Sequence, residues 1–228
     1  MKNMSPIITA SVICMNQNHI ARDVSECIKH GITNFHVDPM DGNFVPRLGM
    51  YPEQVRYIKE EFPNTTVDVH VMLDRPNDFL KAFCDAGSDI VMVHAENHRN
   101  LFGSIGIVKG CGKKAGVCLN IATDVSFLKP IAKDIDYVML MGFNPGILNQ
   151  KMWLGLYEKI RRTREAVNSD VNIMIDGGVK FDTALELWNS GADYLVAGTS
   201  TLFHPDDTIA NNIARMNAIF EDHAGVEC

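Results

Sequence analysis

Short hydrophobic runs, most of them nearly continuous, recur along the whole chain and are separated by longer segments with one polar face. Continuous apolar runs of this length are typical of parallel β-strands that are covered on both faces. Eight strands are predicted, at 7–13, 34–38, 66–72, 89–94, 115–120, 136–141, 171–176 and 193–198. Helices are predicted between and after them, at about 18–30, 52–62, 77–86, 100–110, 125–132, 152–168, 181–190 and 207–222.

The regular alternation of strand and helix predicts the fold class. Several predicted helices end near a glycine just before the next strand, as in "KHGITNF" and "NSGADYL", which suits the left-handed residue that stops a helix. Eight strand–helix units in one chain are typical of a (β/α)8 TIM barrel, here a single α/β domain spanning 1–228. An open doubly wound sheet is the alternative. It is disfavoured because eight even units without a second domain fill a closed barrel.

Composition narrows the classes of function. Hydrophobic residues make up 46% of the 228 residues, enough for a large core, and the formal net charge of −7 argues against nucleic acid as the main partner. The six cysteines form no CxxC pair, which favours free thiols in a reducing compartment. No apolar run is long enough for a membrane span, and the N-terminus lacks the features of a signal peptide. We therefore expect a cytoplasmic protein with no membrane partner.

Titratable side chains cluster where predicted strands end, which is the functional end of such a barrel. His36 and Asp38 point to one face of the second strand, His70 lies near the end of the third, and Asp176 ends the seventh. Two imidazoles and two carboxylates suit one divalent ion such as Zn, Mn, Co or Fe(II). The alternative is that each is an ordinary hydrogen-bonded, cap or turn residue.

Two further polar residues in these strands receive no functional role. Asp68 lies further from its strand end and is interpreted as a cap or turn residue, as a lone Asp near a loop usually is. His94 ends the fourth strand, and a lone His there is more often a hydrogen-bonded core residue than a ligand.

Glycines follow the last two strands, in "IDGGV" and "VAGTS". Glycine lets backbone N–H groups approach an anion, and the loops after strands 7 and 8 of such barrels commonly bind phosphate. Tight turns are the alternative. Met40, Met72 and Met141 fall at strand ends beside the charged residues; they are either core filling or one wall of a dry pocket.

The chain resembles the ribulose-phosphate 3-epimerase family from about residue 7 to residue 203. "HVDPMDGNFVP" is close to that family's most specific signature, and "DVHVM", "VMLMGFNPG", "IDGGV" and "AGTSTLF" match four others in order. The resemblance implies a metal-dependent ketose-phosphate 3-epimerase that interconverts D-ribulose 5-phosphate and D-xylulose 5-phosphate through an enediolate. It implies one divalent metal ion, no organic cofactor, a small phosphorylated sugar as partner and a homo-oligomer, either a dimer or a hexamer.

Roles are implied position by position. Asp38 and Asp176 would be the two acid/base residues and, with His36 and His70, the metal ligands. Further residues match substrate contacts and phosphate-binding positions: Ser11, Met40, His70, Met72 and Met141 for the first, and Gly146, Gly177, Gly178, Gly198 and Thr199 for the second.

Departures from the family pattern leave the substrate open. The family usually reads NPGFGGQ where this chain has "NPGILNQ", with Leu148 and Asn149 in place of small residues, and Arg47 replaces the usual Asn after FVP. "SVICM" and "GTSTLF" resemble allulose-6-phosphate 3-epimerases, so D-allulose 6-phosphate is an alternative substrate. A sugar-phosphate decarboxylase is a further alternative, but its usual Asp-x-Lys-x-x-Asp strand is absent from the sequence. A catalytically silent phosphosugar-binding barrel is the last.

Overall fold

The computed structural model describes residues 5–97, 100–147 and 150–224, and it contains all eight predicted strands. Each observed strand lies within or one residue beyond its predicted range, and each contains at least one of the β-branched residues that suit a pleated surface. In chain order they are β1 Ile7–Ser11, β2 Asn34–Val37, β3 Thr66–Val71, β4 Ile90–His94, β5 Lys114–Leu119, β6 Tyr137–Met141, β7 Asn172–Asp176 and β8 Tyr194–Ala197.

The strands form a closed parallel barrel in sequence order, β1 pairing with both β2 and β8. The predicted (β/α)8 TIM barrel is therefore confirmed and the open doubly wound sheet is wrong. A parallel sheet of this kind is buried on both faces: one apolar cluster lies between the strands and the helices, and a methionine-rich cluster that includes Met92, Met139 and Met174 fills the interior.

The described α-helices lie between the strands and after the last one. Their bounds are α1 Ile20–Lys29, α2 Pro52–Glu61, α3 Leu80–Asp85, α4 Leu101–Gly110, α5 Leu156–Ala166, α6 Ala184–Asn189 and α7 Ile209–Ala224. Gly31, Gly87 and Gly191 follow α1, α3 and α6 with φ of 88°, 103° and 120°, the left-handed backbone that ends a helix at low cost only with glycine. The glycine stop signals predicted the helix ends correctly.

One predicted helix is wrong. Between β5 and β6, at 125–132, the chain forms only a 3₁₀ helix, Val125–Leu128, whose first turn is capped by the Asp124 carboxylate accepting from the Ser126 amide at 2.9 Å. Pro130 lacks the N–H that would continue the helical hydrogen bonds, although Lys129 before it still has helical backbone, with φ of −48° and ψ of −49°. The apolar pattern survives as buried Val125, Leu128 and Ile131, but the α-helix cannot continue.

Leu148 and Asn149, where the sequence departs from the family pattern, lie outside the described residues. None of the described helices is long and apolar enough to cross a membrane.

Candidate active site

The four predicted metal ligands lie together at the carboxyl ends of β2, β3 and β7. His36 belongs to β2, and Asp38 is the first residue after this strand. The period of two along a strand points both side chains into the barrel. His70 lies in β3 and Asp176 ends β7. Both imidazoles are fully buried and Asp38 is 7% exposed. The barrel brings together four groups that are distant in the sequence.

The distances show one compact cluster. Asp38 Oδ1 lies 3.1 Å from His36 Nε2 and 3.4 Å from His70 Nδ1. Asp176 Oδ2 lies 3.3 Å from His70 Nδ1 and 4.0 Å from His36 Nε2. One potential ligand atom from each of the four side chains lies within 4.8 Å of the other three. This is the number, type and convergence of ligands that a divalent ion requires.

The electrostatics of the cluster favour added positive charge. Burial alone lowers the pKa of His36, but the nearby carboxylates of Asp68 and Asp38 outweigh it and raise this pKa well above its ordinary value. Burial raises the pKa of Asp38, yet His36 and His70 hold it below its usual range. The cluster therefore stabilises cations, either protons on the imidazoles or a metal ion that displaces them.

A buried atom without a partner tests whether a metal fits. His70 Nδ1 is buried and makes no hydrogen bond within the described chain, although an unpaired buried polar atom is costly. It faces the carboxylates of Asp38 and Asp176. A lone pair on this atom, beside two carboxylates and the facing Nε2 of His36, fits a divalent ion.

Asp68 is a functional neighbour that the sequence interpretation missed. It is not a cap or turn residue: it lies inside β3, is 2% exposed, and its Oδ1 lies 2.5 Å from His36 Nδ1. Thr9 donates to its other oxygen at 3.0 Å. The strand register places Asp68 beside His36, and only this register, which the sequence alone does not give, reveals the pair.

His94 and Glu96 form a second group of neighbours. His94 Nε2 lies 2.8 Å from His70 Nε2, and His94 Nδ1 lies 2.9 Å from Glu96 Oε2. Burial lowers the pKa of His94. Burial also raises the pKa of Glu96, but hydrogen bonds from His94 and Thr123 outweigh this and lower it to about 2. A signal existed in the sequence, since "HAE" repeats the His-x-acid spacing of "HVD".

A cavity of about 530 Å³ opens above the cluster. Asp38 and Asp176 line it, whereas His36 and His70 are buried beside it. The structure also places the remaining predicted substrate and phosphate residues on its wall: Ser11, Met40, Met72, Met141, Gly146, Gly177, Gly178, Gly198 and Thr199. A second cavity of about 490 Å³, lined by Tyr57 and residues 17–22, contains none of the predicted site residues.

Close backbone approach explains the glycines in this cavity. Gly177 and Gly178 have φ of 89° and 79°, which side-chain-bearing residues rarely adopt. A Cβ on Gly178 would lie 2.6 Å from the side chain of Met152. On Gly146, with φ of 72°, it would lie 2.5 Å from Cβ of Val45. Successive glycines with positive φ are typical of the concave surfaces of N–H groups that bind anions.

Arg47 lines the cavity, although the sequence analysis identified it only as a departure from the family pattern. It is the one Lys or Arg among the described residues around the cavity, and Asp38 and Asp176 are the carboxylates that share the lining. A guanidinium at the mouth of a negatively charged site offers an anion-binding group that its floor lacks.

Comparisons with known proteins agree with this geometry. The family profile described as "Ribulose-phosphate 3 epimerase family" matches residues 7–203. The chain is 34% identical over 203 residues to the ribulose-phosphate 3-epimerase of Bacillus subtilis (strain 168), covering 87% of this chain and 93% of that protein. It is 31% identical over 196 residues to the one of Aquifex aeolicus (strain VF5), covering 85% and 88%. The enzyme of that name from Escherichia coli (strain K12) is 28% identical over 203 residues, covering 88% and 90%.

Solved structures of lower identity share the fold alone. KGPDC from Streptococcus mutans superposes with a TM-score of 0.74 at 11% identity, covering 95% of this chain and 98% of that one. The 3-hexulose-6-phosphate synthase from Salmonella typhimurium superposes with a TM-score of 0.71 at 16% identity, covering 95% and 99%.

Proposed function

The chain belongs to the ribulose-phosphate 3-epimerase family, and from that premise we propose that it is a metal-dependent 3-epimerase acting on D-ribulose 5-phosphate to give D-xylulose 5-phosphate. One observation carries the proposal: oxygens of Asp38 and Asp176 converge with the two imidazoles at the floor of a cavity whose rim is rich in glycine.

The two carboxylates supply the acid/base chemistry. Epimerisation next to a carbonyl removes a proton from one face of the carbon and returns a proton to the other face, through a planar enediolate. This needs one general base and one general acid, both within reach of the same carbon. Asp38 and Asp176 both line the cavity, and each has an oxygen within 3.4 Å of His70 Nδ1. One takes the proton, the other delivers it, and the roles exchange in the reverse reaction.

Ser11 and the histidines hold these carboxylates in place. The Ser11 hydroxyl donates to Asp38 Oδ2 at 3.3 Å, while Oδ1 faces the imidazoles. His36, Asp38, His70 and Asp176 would hold the metal ion. When bound, the ion stabilises the negative charge that develops on the substrate oxygens as a Lewis acid.

The rest of the cavity suits a short phosphorylated sugar. Gly177, Gly178 and Gly198 lie after β7 and β8, the region that commonly binds phosphate in TIM barrels. Arg47 adds a cation to the lining of the same cavity. Met40, Met72 and Met141 supply apolar surface near the acidic floor, and a dry floor strengthens electrostatic interactions with the reacting atoms.

D-allulose 6-phosphate is the second candidate substrate. Cys14, part of the "SVICM" stretch that resembles allulose-6-phosphate 3-epimerases, lines the cavity and donates to Ser11 Oγ at 3.6 Å. We also expect a homo-oligomer and a cytoplasmic location. The latter agrees with the five cysteines of the described chain, which are all free.

The test is turnover of D-ribulose 5-phosphate and D-allulose 6-phosphate, measured side by side after loading with Zn²⁺, Mn²⁺, Co²⁺ or Fe²⁺. Epimerisation should incorporate one solvent deuterium at carbon 3 of the product, and Asp176→Asn should suppress it. A metal-loaded protein that exchanges no proton into either ketose would overturn the proposal and leave a phosphosugar-binding barrel.

A further inference from the structure

His94 is a buried histidine that neither the predicted ligand set nor the acid/base mechanism uses. It ends β4, is 1% exposed and does not line the cavity. Its ring nevertheless lies against His70, with ring centroids 5.0 Å apart. A buried imidazole in this position requires a partner on each nitrogen, and both partners are present.

The hydrogen bonds form an ordered series that ends on a carboxylate. His70 Nε2 contacts His94 Nε2 at 2.8 Å, and His94 Nδ1 contacts Glu96 Oε2 at 2.9 Å. The other oxygen of Glu96 accepts from the Asn120 amide at 2.8 Å and from the Thr123 hydroxyl. Glu96 is thereby fixed by two donors other than His94.

The direction of each hydrogen bond follows from the carboxylate. Ionised Glu96 only accepts, so His94 Nδ1 donates. Neutral His94, the form that burial favours, then has a lone pair on Nε2 and accepts from Nε2–H of His70. One proton of His70 is therefore held on Nε2, and Nδ1, the atom that faces Asp38 and Asp176, is the nitrogen left for a cation.

We propose that His94 is a positioning residue which, held by Glu96, fixes the tautomer and ring orientation of His70 so that Nδ1 is available to a divalent cation. This inference rests on the metal site of the proposed function. Partners of this kind on ligating histidines typically change metal affinity 10- to 100-fold when removed.

A competing interpretation of the same residues is a soft-metal site formed by His70, His94 and Cys118, whose potential ligand atoms lie within 4.8 Å of one another. The contact between the two imidazoles argues against it. Two nitrogens on one tetrahedral zinc, each about 2.05 Å from the ion, lie about 3.3 Å apart, whereas these two are 2.8 Å apart. That separation is a hydrogen bond.

The test measures the affinity of the full-length protein for Co²⁺ alone, by competition with a chelator, together with the visible absorption of bound Co²⁺. His94→Leu should weaken affinity by about 10- to 100-fold and alter the absorption band. His94→Gln carries one acceptor for His70 and one donor for Glu96, so it should restore affinity to within about threefold of the original. Cys118→Ala removes a thiol that also contacts His70 but leaves the series from His70 through His94 to Glu96 intact, so affinity should change by less than about threefold.

Glu96→Gln keeps the shape of the side chain and serves if His94→Leu fails to fold. With its carbonyl oxygen toward Asn120 and Thr123, its amide would donate to His94, reverse both hydrogen bonds and place the proton of His70 on Nδ1. It should therefore weaken Co²⁺ binding as His94→Leu does. Unchanged affinity in both variants would overturn the inference, as would loss of Co²⁺ in Cys118→Ala, which would support the soft-metal site.

The outcomes separate this inference from the proposed function. Co²⁺ binding that depends on His36 but not on His94 or Glu96 overturns only the role of His94. Failure of the unsubstituted protein to bind Co²⁺, or binding that His36→Ala leaves unchanged, overturns both.

Discussion

Asp68 Oδ1 lies 2.5 Å from His36 Nδ1, on the side of the imidazole opposite the nitrogen that faces Asp38. With Asp68 accepting, one proton of His36 stays on Nδ1, so Nε2, which faces the cluster, is the nitrogen that gives up its proton to a metal ion. Glu96 orients His70 indirectly, because it holds His94, which in turn contacts His70. Each predicted ligand imidazole is thus oriented by a carboxylate that does not itself line the cavity, the arrangement known from histidines that ligate metals.

Removing the carboxylate behind His36 tests this arrangement. Asp68→Leu is expected to weaken binding of a divalent metal by about 10- to 100-fold, because Nδ1–H loses its acceptor and the tautomer is no longer fixed. Chelator competition measures the affinity. Thr9→Val is the matched control: it removes the other hydrogen bond to Asp68 but leaves the carboxylate. Equal affinities in the two variants would contradict the role given to Asp68.

Asp176 is expected to be essential for turnover and dispensable for folding. It is the less buried of the two proposed acid/base carboxylates, with a side chain 20% exposed. Asp176→Asn should lower kcat by about a hundredfold or more, the scale typical of a general acid or base, with an unchanged far-ultraviolet circular dichroism spectrum. Asp182→Asn, the same change at an exposed residue after the same strand, should leave kcat unaffected. Near-normal turnover in Asp176→Asn would rule out the mechanism with two carboxylates.

The proposed histidine ligands are tested by metal content. His36→Ala and His70→Ala should each lose most of the bound metal, because each removes one of four convergent ligands. His30→Ala, at an exposed histidine that contacts Glu26, is the control and should retain the metal. Elemental analysis after gel filtration gives the stoichiometry. A full equivalent of metal in both ligand variants would show that the assignment is wrong.

The sequence was informative where a local pattern determines direction. Alternation along a strand, with the rule that parallel strands end at one face of the barrel, was enough to bring His36, Asp38, His70 and Asp176 together. The interpretation of Asp68 failed because its partner depends on the register between β2 and β3, which no local pattern gives. His94 was correctly interpreted as a hydrogen-bonded core residue. Its contact with His70, which joins the neighbouring strands β3 and β4, is apparent only in the folded barrel. The helix predicted at 125–132 failed for a local reason, since Pro130 outweighs the apolar pattern.

Arg47 is expected to contribute to substrate binding more than to chemistry. Among the described residues that line the cavity, it is the one with a Lys or Arg side chain. An interaction with a phosphate away from the reacting carbon acts on the ground state and the transition state alike. Arg47→Gln should therefore raise KM for phosphorylated ketoses while kcat changes little, the signature of uniform binding. Arg56→Gln, at an exposed position of α2, controls for the change in net charge. An unchanged KM for both the pentulose and the hexulose phosphate would exclude a phosphate contact.

Acid stability gives a readout of Glu96 that is independent of activity. Burial opposes ionisation of Glu96, but hydrogen bonds from His94 and Thr123 outweigh it and lower its pKa from 4.5 to about 2 in the folded protein. The unfolded chain therefore binds more protons than the folded one between these values, and the stability that ionised Glu96 contributes is complete above about pH 4.5. It is lost as the pH falls toward 2. At 1.36 kcal/mol per pKa unit, the contribution is at most about 3 kcal/mol. The difference in the free energy of unfolding between the original protein and Glu96→Gln should accordingly be largest at neutral pH and shrink by that amount as the pH falls through this window.

Urea titrations at a series of pH values measure this difference, with Glu60→Gln on α2 as a control for loss of an exposed charge. A difference that stays constant down to pH 2 would mean that the carboxylate of Glu96 is not held ionised by these hydrogen bonds, and the fixed proton order from Glu96 through His94 to His70 would lose its anchor.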